Sequence, residues 1–466
     1  MMSSQPRLKR RDFLRLSAAT VAVGTTFDAL NARICRGDVT GLKSEGYGPL
    51  RPVADEITGM ELLQLPEGFR YLSFGWTGEP MADGMPTPHT HDGMAVTSDK
   101  DGKIILTRNH EIAETGRPLG PPEITYDAKA TGGCTNLLFD SLSEKWIKSW
   151  PSIAGTVRNC AGGPTPWGTW LTAEETTLGP GDEYDGKTFD YEQTHGWVFE
   201  VQPDGKSDPR PIKGLGRIWH EAVAIDPETG IVYETEDRKE AGLYRFVPDA
   251  PGDLRVGGRL QMLKAVGRAD LRKGIAVGQK FDVKWVDIDE PERADSPGTN
   301  DHQGVYRQGV QGGGSTFARL EGAWHGNKRI YVTATSGGDA ERGQVWEYNP
   351  QEEVLTLKFE SPGMDVLDMP DNMCVSPRGG IVLCEDGDIV PQRLHGLTAD
   401  GRLFTLAANN IDFRNGGAPY GIPAKDYRAE EWAGATFSFD GKWLFVNIQT
   451  PGVTFAITGP WGEGLA

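Results

Sequence analysis

Short runs in which apolar and polar residues alternate, joined two by two through tight polar turns, recur along this chain from about residue 45 onward. "DGKIILTRNHE" from 101, "GWVFEVQPDGK" from 196 and "EAVAIDPETGIVYETED" from 221 show the pattern. "KRIYVTATSGG" from 328, "GQVWEYNPQEEVLTLKF" from 343 and "VSPRGGIVLCEDG" from 375 repeat it, as do "GLTADGRLFTLA" from 396 and "TFSFDGKWLFVNIQTPG" from 436. Each reads as a strand, a D-G, G-G or E-T-G turn, and an antiparallel strand. With 61 glycines and 31 prolines the chain is poorly suited to long helices. A sandwich rarely runs near 400 residues without a break, and no Ser/Pro-rich linker marks a boundary. The rhythm is that of propeller blades, and the expectation is one all-β domain.

Charge narrows the partners. Against 48 basic residues stand 66 acidic ones, a formal net charge of −18. Nucleic acid and anionic membranes, which need clustered Lys and Arg, are excluded as principal partners. Acids converging in a pocket are instead what a site for hard cations requires. The five cysteines (Cys35, Cys134, Cys160, Cys374 and Cys384) are odd in number and widely spaced, a poor disulfide framework without a zinc pattern. Cys374 and Cys384 flank a hairpin-like stretch and are read as free thiols, with a pairing as the rarer alternative.

The N-terminus carries Arg7, Lys9, Arg10 and Arg11 ahead of a weakly apolar stretch from about Leu14 to Phe27. The run Arg10-Arg11-Asp12-Phe13-Leu14 resembles the twin-arginine export signal of bacteria, and residues 1–32 are read as that segment. The alternative is a basic amphipathic start helix. The apolar part is too short for a membrane span, and no later run is long enough. Two acidic stretches, 181–196 and 287–304, read as surface excursions, with a peripheral calcium site as the rarer alternative.

One segment stands apart. "NCAGGPTPWGTWLTAEET", Asn159 to Thr176, puts a cysteine, two tryptophans and a paired carboxylate among glycines and prolines. Cys160 is either a small buried hydrophobe or a thiolate. As a thiolate, metal ligation suits it better than nucleophilic catalysis, because no histidine base lies nearby in sequence. Carboxylates recur in similar strand-end positions: Glu111, Glu174-Glu175, Glu221, Glu236-Asp237, Glu321 and Glu385-Asp386. Buried unpaired, each would cost several kcal/mol, and cations are the economical solution. Arg108 and Arg319 are read either as neutralising Glu111 and Glu321 or as a bidentate clamp on phosphate or sulfate. His89, His91, His110, His220 and His325 fall within these motifs but share no tight metal spacing, so histidine ligation is secondary.

The segments "RNHE", "NCAGGPTPWGTWLTAEE", "HEAVAIDPETGIVYETED", "LYRFVP", "FARLEG", "PDNMCVSPRGGIVLCEDG" and "EWAGATFSFDGKWLFVNIQTPG" together resemble the PhoX family of secreted phosphatases. The resemblance runs from residue 45 to residue 466, in the family's order. It implies a six-bladed propeller, a single domain with loop insertions, and a centre of ferric iron and calcium. It implies phosphomonoester hydrolysis by in-line attack of a metal-held oxide or hydroxide. Cys160 would be the thiolate ligand to iron and would take part in catalysis. Glu175, Glu236 and Glu321 would be carboxylate ligands, with Glu174 behind Glu175 as support or second ligand and Glu221, Glu111 and Asp92 as further ligands. Arg319 would clamp the phosphate. The implied partners are a small phosphate ester and the twin-arginine export machinery, and the implied location is periplasmic or secreted. The chain departs from the family at "PTPHTHDGMAV", where an Asn-Asn-Asp-type segment is usual, at Leu320 in place of proline and at Thr450 in place of histidine. The rival functions are a calcium-dependent esterase or lactonase propeller, which needs no cysteine ligand, and a non-catalytic, metal-stabilised binding propeller.

Overall fold

A computed structural model describes residues 46–184 and 186–462. The proposed export segment, residues 1–32, lies outside the described residues. The expected hairpins form where the sequence places them. In "DPETG" the Asp226 carboxylate accepts from the Glu228 amide (3.0 Å) and the Thr229 hydroxyl (2.8 Å). Gly230, at φ 73°, supplies the left-handed turn that returns the chain into Val232–Glu236.

The architecture is all-β and propeller-like, with one short α-helix among the described residues, Gly304–Gln311. Four consecutive antiparallel strands from His91–Lys100 to Lys145–Thr156 make one sheet, and Asn159–Pro164, Trp170–Glu174 and Val198–Val201 make the next. A six-stranded sheet begins at Pro370–Val375. The last large sheet takes Trp432–Phe437, Leu444–Ile448 and Val453–Thr458 from the C-terminus and Arg70–Phe74 from the N-terminus, so the two ends of the domain are hydrogen-bonded together. Apart from the two-stranded ribbon of Glu183–Tyr184 and Lys187–Thr188, the hydrogen bonding gives five sheets rather than six. Lys280–Asp287 pairs with Gly258–Ala265 on one side and Val354–Glu360 on the other, fusing two hairpin series into one nine-stranded sheet.

Six first strands nevertheless close a ring. His91–Lys100 packs against Asn159–Pro164, which packs against His220–Ile225, then Leu320–Gly326, Pro370–Val375, Trp432–Phe437 and back to His91–Lys100. Both edge strands of the nine-stranded sheet belong to this ring. Small residues let the strands approach: a Cβ on Gly163 would lie 1.9 Å from the carbonyl oxygen of Val223. That is why a glycine-rich segment could still be a strand. Between neighbouring sheets the core is aromatic and aliphatic, with Trp170, Trp346 and Trp432 fully buried. Cys374 and Cys384 are free thiols within that core. They are not cross-strand partners, since Cys374 stands opposite Val382 and Cys384 opposite Leu394.

Candidate metal centre

All six inner strands carry a register irregularity at their start, between His91 and Met94, Asn159 and Gly162, His220 and Val223, Leu320 and Ala323, Pro370 and Met373, and Ala433 and Thr436. A bulge re-aims the side chains it contains. The second residue of the first five strands sits inside it: Asp92, Cys160, Glu221, Glu321 and Asp371. A second set comes from the residue just after five of the six second strands: Glu111, Glu175, Asp237, Asp386 and Gln449.

These two sets meet. Donor atoms of Asp92, Glu111 and Cys160 lie within 4.8 Å of one another, as do those of Cys160, Glu175 and Glu221, and those of Glu221, Asp237 and Glu321. The shared members make one continuous arc. The Cys160 thiol is 3.6 Å from Asp92 Oδ2. Gln449 Nε2 donates to Asp92 Oδ2 and to Glu111 Oε2, each at 3.0 Å, and ties the C-terminal sheet to the arc. Arg158 Nη2 bridges Glu175 (2.8 Å) and Glu111 (3.1 Å). Arg319 binds Asp237 bidentately, both distances 2.9 Å, and reaches Glu321 at 2.6 Å.

Crowding shows in the electrostatics. Burial, then the neighbouring carboxylates of Asp237, Asp371 and Glu221, push the Glu321 carboxyl well above its usual range despite Arg319. Glu431, just before the sixth inner strand, is raised in the same way by burial and by Asp386, Asp371 and Asp92. The donor chemistry fits the implied metals. A thiol among carboxylates suits iron, and the all-oxygen group of Glu221, Asp237 and Glu321 suits calcium.

Two expected ligands are not brought to the arc. Glu174 accepts from the amides of Val157 (2.8 Å), Gly196 (2.8 Å) and Trp197 (3.1 Å) and contacts His195 Nδ1 at 2.7 Å. Glu236 accepts from the Gly242 amide (3.0 Å) and the Tyr244 hydroxyl (2.8 Å). Glu385 follows the same rule, accepting from the Asp368 and Arg393 amides. Consecutive residues at a strand end face opposite ways. In Glu174-Glu175, Glu236-Asp237 and Glu385-Asp386 the first acid therefore secures backbone and the second turns to the axis. Asp237, Asp371, Asp386, Glu431 and Arg158 are the members that sequence reasoning left unassigned; an acid pair was the signal for Asp237, Asp386 and Glu431, whereas Asp371 and Arg158 belong to no such pair.

Arg108 is no clamp either. It is buried between sheets, where it donates to the Gly75 carbonyl (3.1 Å) and to the hydroxyls of Thr454 (2.8 Å) and Thr135 (3.2 Å). The histidines stay out of the arc. His110 contacts the His89 carbonyl and Thr135, His91 the Pro88 carbonyl, and His220 the Gly216 carbonyl and Glu234, while His89 lies 3.9 Å from Glu114. Trp170 and Thr172 both donate to Asn109 Oδ1, and Asn109 Nδ2 in turn donates to the carbonyls of Cys160 and Ala161. The tryptophan thus orients the backbone that carries the thiol.

The stretch 181–196 is no mere surface excursion, because it buries His195 between two carboxylates, Glu174 and Asp127. Burial opposes the imidazolium, but the two carboxylates outweigh it and raise His195 from 6.5 to about 9. A raised pKa favours the folded state at low pH. The contribution, ~3 kcal/mol from 1.36 per unit, is full below pH 6.5 and declines until it is lost above about 9. Urea unfolding across that range should show the decline, and His195→Gln should flatten it. Identical profiles for the two proteins would contradict this assignment.

Fold and site together define a propeller-type protein whose axis carries an acidic, thiol-containing centre suited to cations. The chain belongs to the alkaline phosphatase PhoX family, whose model matches residues 45–149 and 139–452, and it is an enzyme of that phosphatase class. Among solved structures it is similar to Pseudomonas fluorescens PhoX in complex with vanadate, a transition state analogue. That match has 18% identity and a TM-score of 0.62, covering 88% of this chain and 98% of that one. A gluconolactonase from Xanthomonas campestris matches at 11% identity and a TM-score of 0.41, over 89% of this chain and 98% of the other. A luciferin-regenerating enzyme matches at 12% and 0.37, over 81% and 94%. No curated protein matched the chain. No helix among the described residues is long and apolar enough to cross a membrane.

Proposed function

We propose that this protein hydrolyses phosphomonoesters at the propeller axis, with iron and calcium held by the arc from Asp92 to Glu321. The observation that carries the reading is the convergence of one thiol and six carboxylates from four neighbouring inner strands and the loops beside them. Cys160, Asp92, Glu111 and Glu175 would hold iron, and Glu221, Asp237 and Glu321 would hold calcium. Such ions supply Lewis acidity toward phosphoryl oxygens and activate a bound oxygen nucleophile. The chain's own work is orientation and charge. Asp237 fixes the plane of the Arg319 guanidinium, which takes up negative charge on the transferring phosphoryl group. Arg158 holds Glu111 and Glu175 in register across the first two sheets.

Counting the nine-stranded sheet as two blades that share an extra strand gives six blades, one for each inner strand of the ring. The basic, twin-arginine N-terminus supports export to the periplasm or beyond, with the domain folded and its metals loaded before transport.

The test is hydrolysis of p-nitrophenyl phosphate before and after chelation, paired with elemental analysis of protein from a native-like host. Chelation should abolish turnover, and iron with calcium should be found. Calcium alone would favour a thiol-independent hydrolase. Protein without metal that still turns over would overturn the assignment of the arc.

A further inference from the structure

Beside the acidic arc stands an arginine that forms no direct ion pair among the described residues. Arg238 follows Asp237 directly, yet the two side chains part. Asp237 takes Arg319, whereas Arg238 lies over the Trp219 ring, 4.4 Å from its centroid, and gives one side-chain hydrogen bond, to the Asp301 carbonyl at 3.2 Å. Among the described residues Arg238 has no carboxylate within ion-pair distance, although 66 acids outnumber 48 bases in this chain. Its position is fixed from both sides. The Arg319 amide donates to the Arg238 carbonyl at 2.8 Å, and Trp219 itself bridges to Glu175 of the arc.

A second arginine lies close by, with Asp295, Asp182 and Glu174 as its neighbouring charges. Arg217 spends its donors on the carbonyls of His195 (2.8 Å) and Thr177 (2.8 Å), and both arginines act on His302 of the 287–304 stretch. That stretch and 181–196, two loops that read as acidic excursions, thus bring two arginines together with Asp182 and Asp295 to the edge of the anionic centre.

We propose that Arg238, held by Trp219, binds a second negative group on the leaving-group side of the substrate. The preferred esters are then phosphorylated acids rather than phosphorylated neutral alcohols. This deepens the phosphatase reading and rests on it. Arg319 is committed to Asp237 and Glu321 beside the reacting phosphoryl group, so it is the outward-lying Arg238 that faces what the phosphate is attached to. A planar guanidinium pre-oriented on an aromatic face loses little entropy when it pairs with a carboxylate. A charge-assisted bond of this kind favours the anionic substrate by about tenfold or more.

The experiment compares kcat/KM for 3-phosphoglycerate and glycerol 3-phosphate, which differ in a carboxylate, for wild type, Arg238→Ala and Arg238→Lys. Wild type should prefer the glycerate, Arg238→Ala should lose about tenfold of that ratio chiefly through KM, and Arg238→Lys should keep part of it. A purely structural role would lower both substrates together, so an unchanged ratio in Arg238→Ala overturns the proposal. If wild type hydrolyses both esters equally, this proposal falls while the phosphatase reading stands. If it hydrolyses neither, nor p-nitrophenyl phosphate, both fall.

Discussion

Cys160→Ala is expected to lose the iron proposed for the arc and at least about a hundredfold of its turnover while the propeller survives. The thiol belongs to two of the three donor groups of the arc, so its loss breaks the arc where the first two sheets meet the third. Its structural cost is small. The side chain is fully buried, but removing one sulfur atom withdraws only about 1 kcal/mol of apolar burial, and the strand is held by Asn109 through the backbone. Metal content by elemental analysis, activity on p-nitrophenyl phosphate and a circular dichroism melt separate these effects. A variant with wild-type iron and full activity would remove Cys160 from the metal centre, and one that fails to fold would make it a packing residue.

Arg319→Ala should be severe in a different way. Arg319 is buried and answers two buried carboxylates, Asp237 and Glu321, beside Glu221. Removing one partner of a buried pair costs about 3–5 kcal/mol, because the other charge stays behind. That loss should be largest in chelated protein and smaller with calcium present, since a cation at Glu221, Asp237 and Glu321 offsets the missing guanidinium. Turnover should fall by a factor on the order of 10²–10³ even with metal restored. Urea unfolding with and without calcium, beside kcat at saturating metal, reads both effects. Equal destabilisation in the two conditions would mean that these carboxylates do not share a cation. Unchanged kcat would remove Arg319 from the phosphoryl site.

Much of this was legible in the chain itself. Period-two runs and Asp- and Gly-bearing turns such as "DPETG" dictate antiparallel hairpins, because alternation fixes a buried face and the turn residues fix the reversal. The recurrence of acids at strand ends marked a shared site, and Cys160, Glu175, Glu221, Glu321, Glu111 and Asp92 are all brought to it. Arg319 also lies where "FARLEG" implied, against Glu321.

What the tertiary structure decided is which member of each pair serves the centre. In Glu174-Glu175 and Glu236-Asp237 the two acids are chemically alike, and alternation says only that they point apart. Direction depends on the bulge that rotates each inner strand and on which loop amides wait behind it: Val157, Gly196 and Trp197 for Glu174, Gly242 for Glu236. Those amides come from residues distant in the chain or beyond the next turn. The same holds for Arg108, whose neighbours Gly75, just after Arg70–Phe74, and Thr454, within Val453–Thr458, come from opposite ends of the domain. Local sequence determines which way a strand alternates; only the closed ring determines which side of it is the inside.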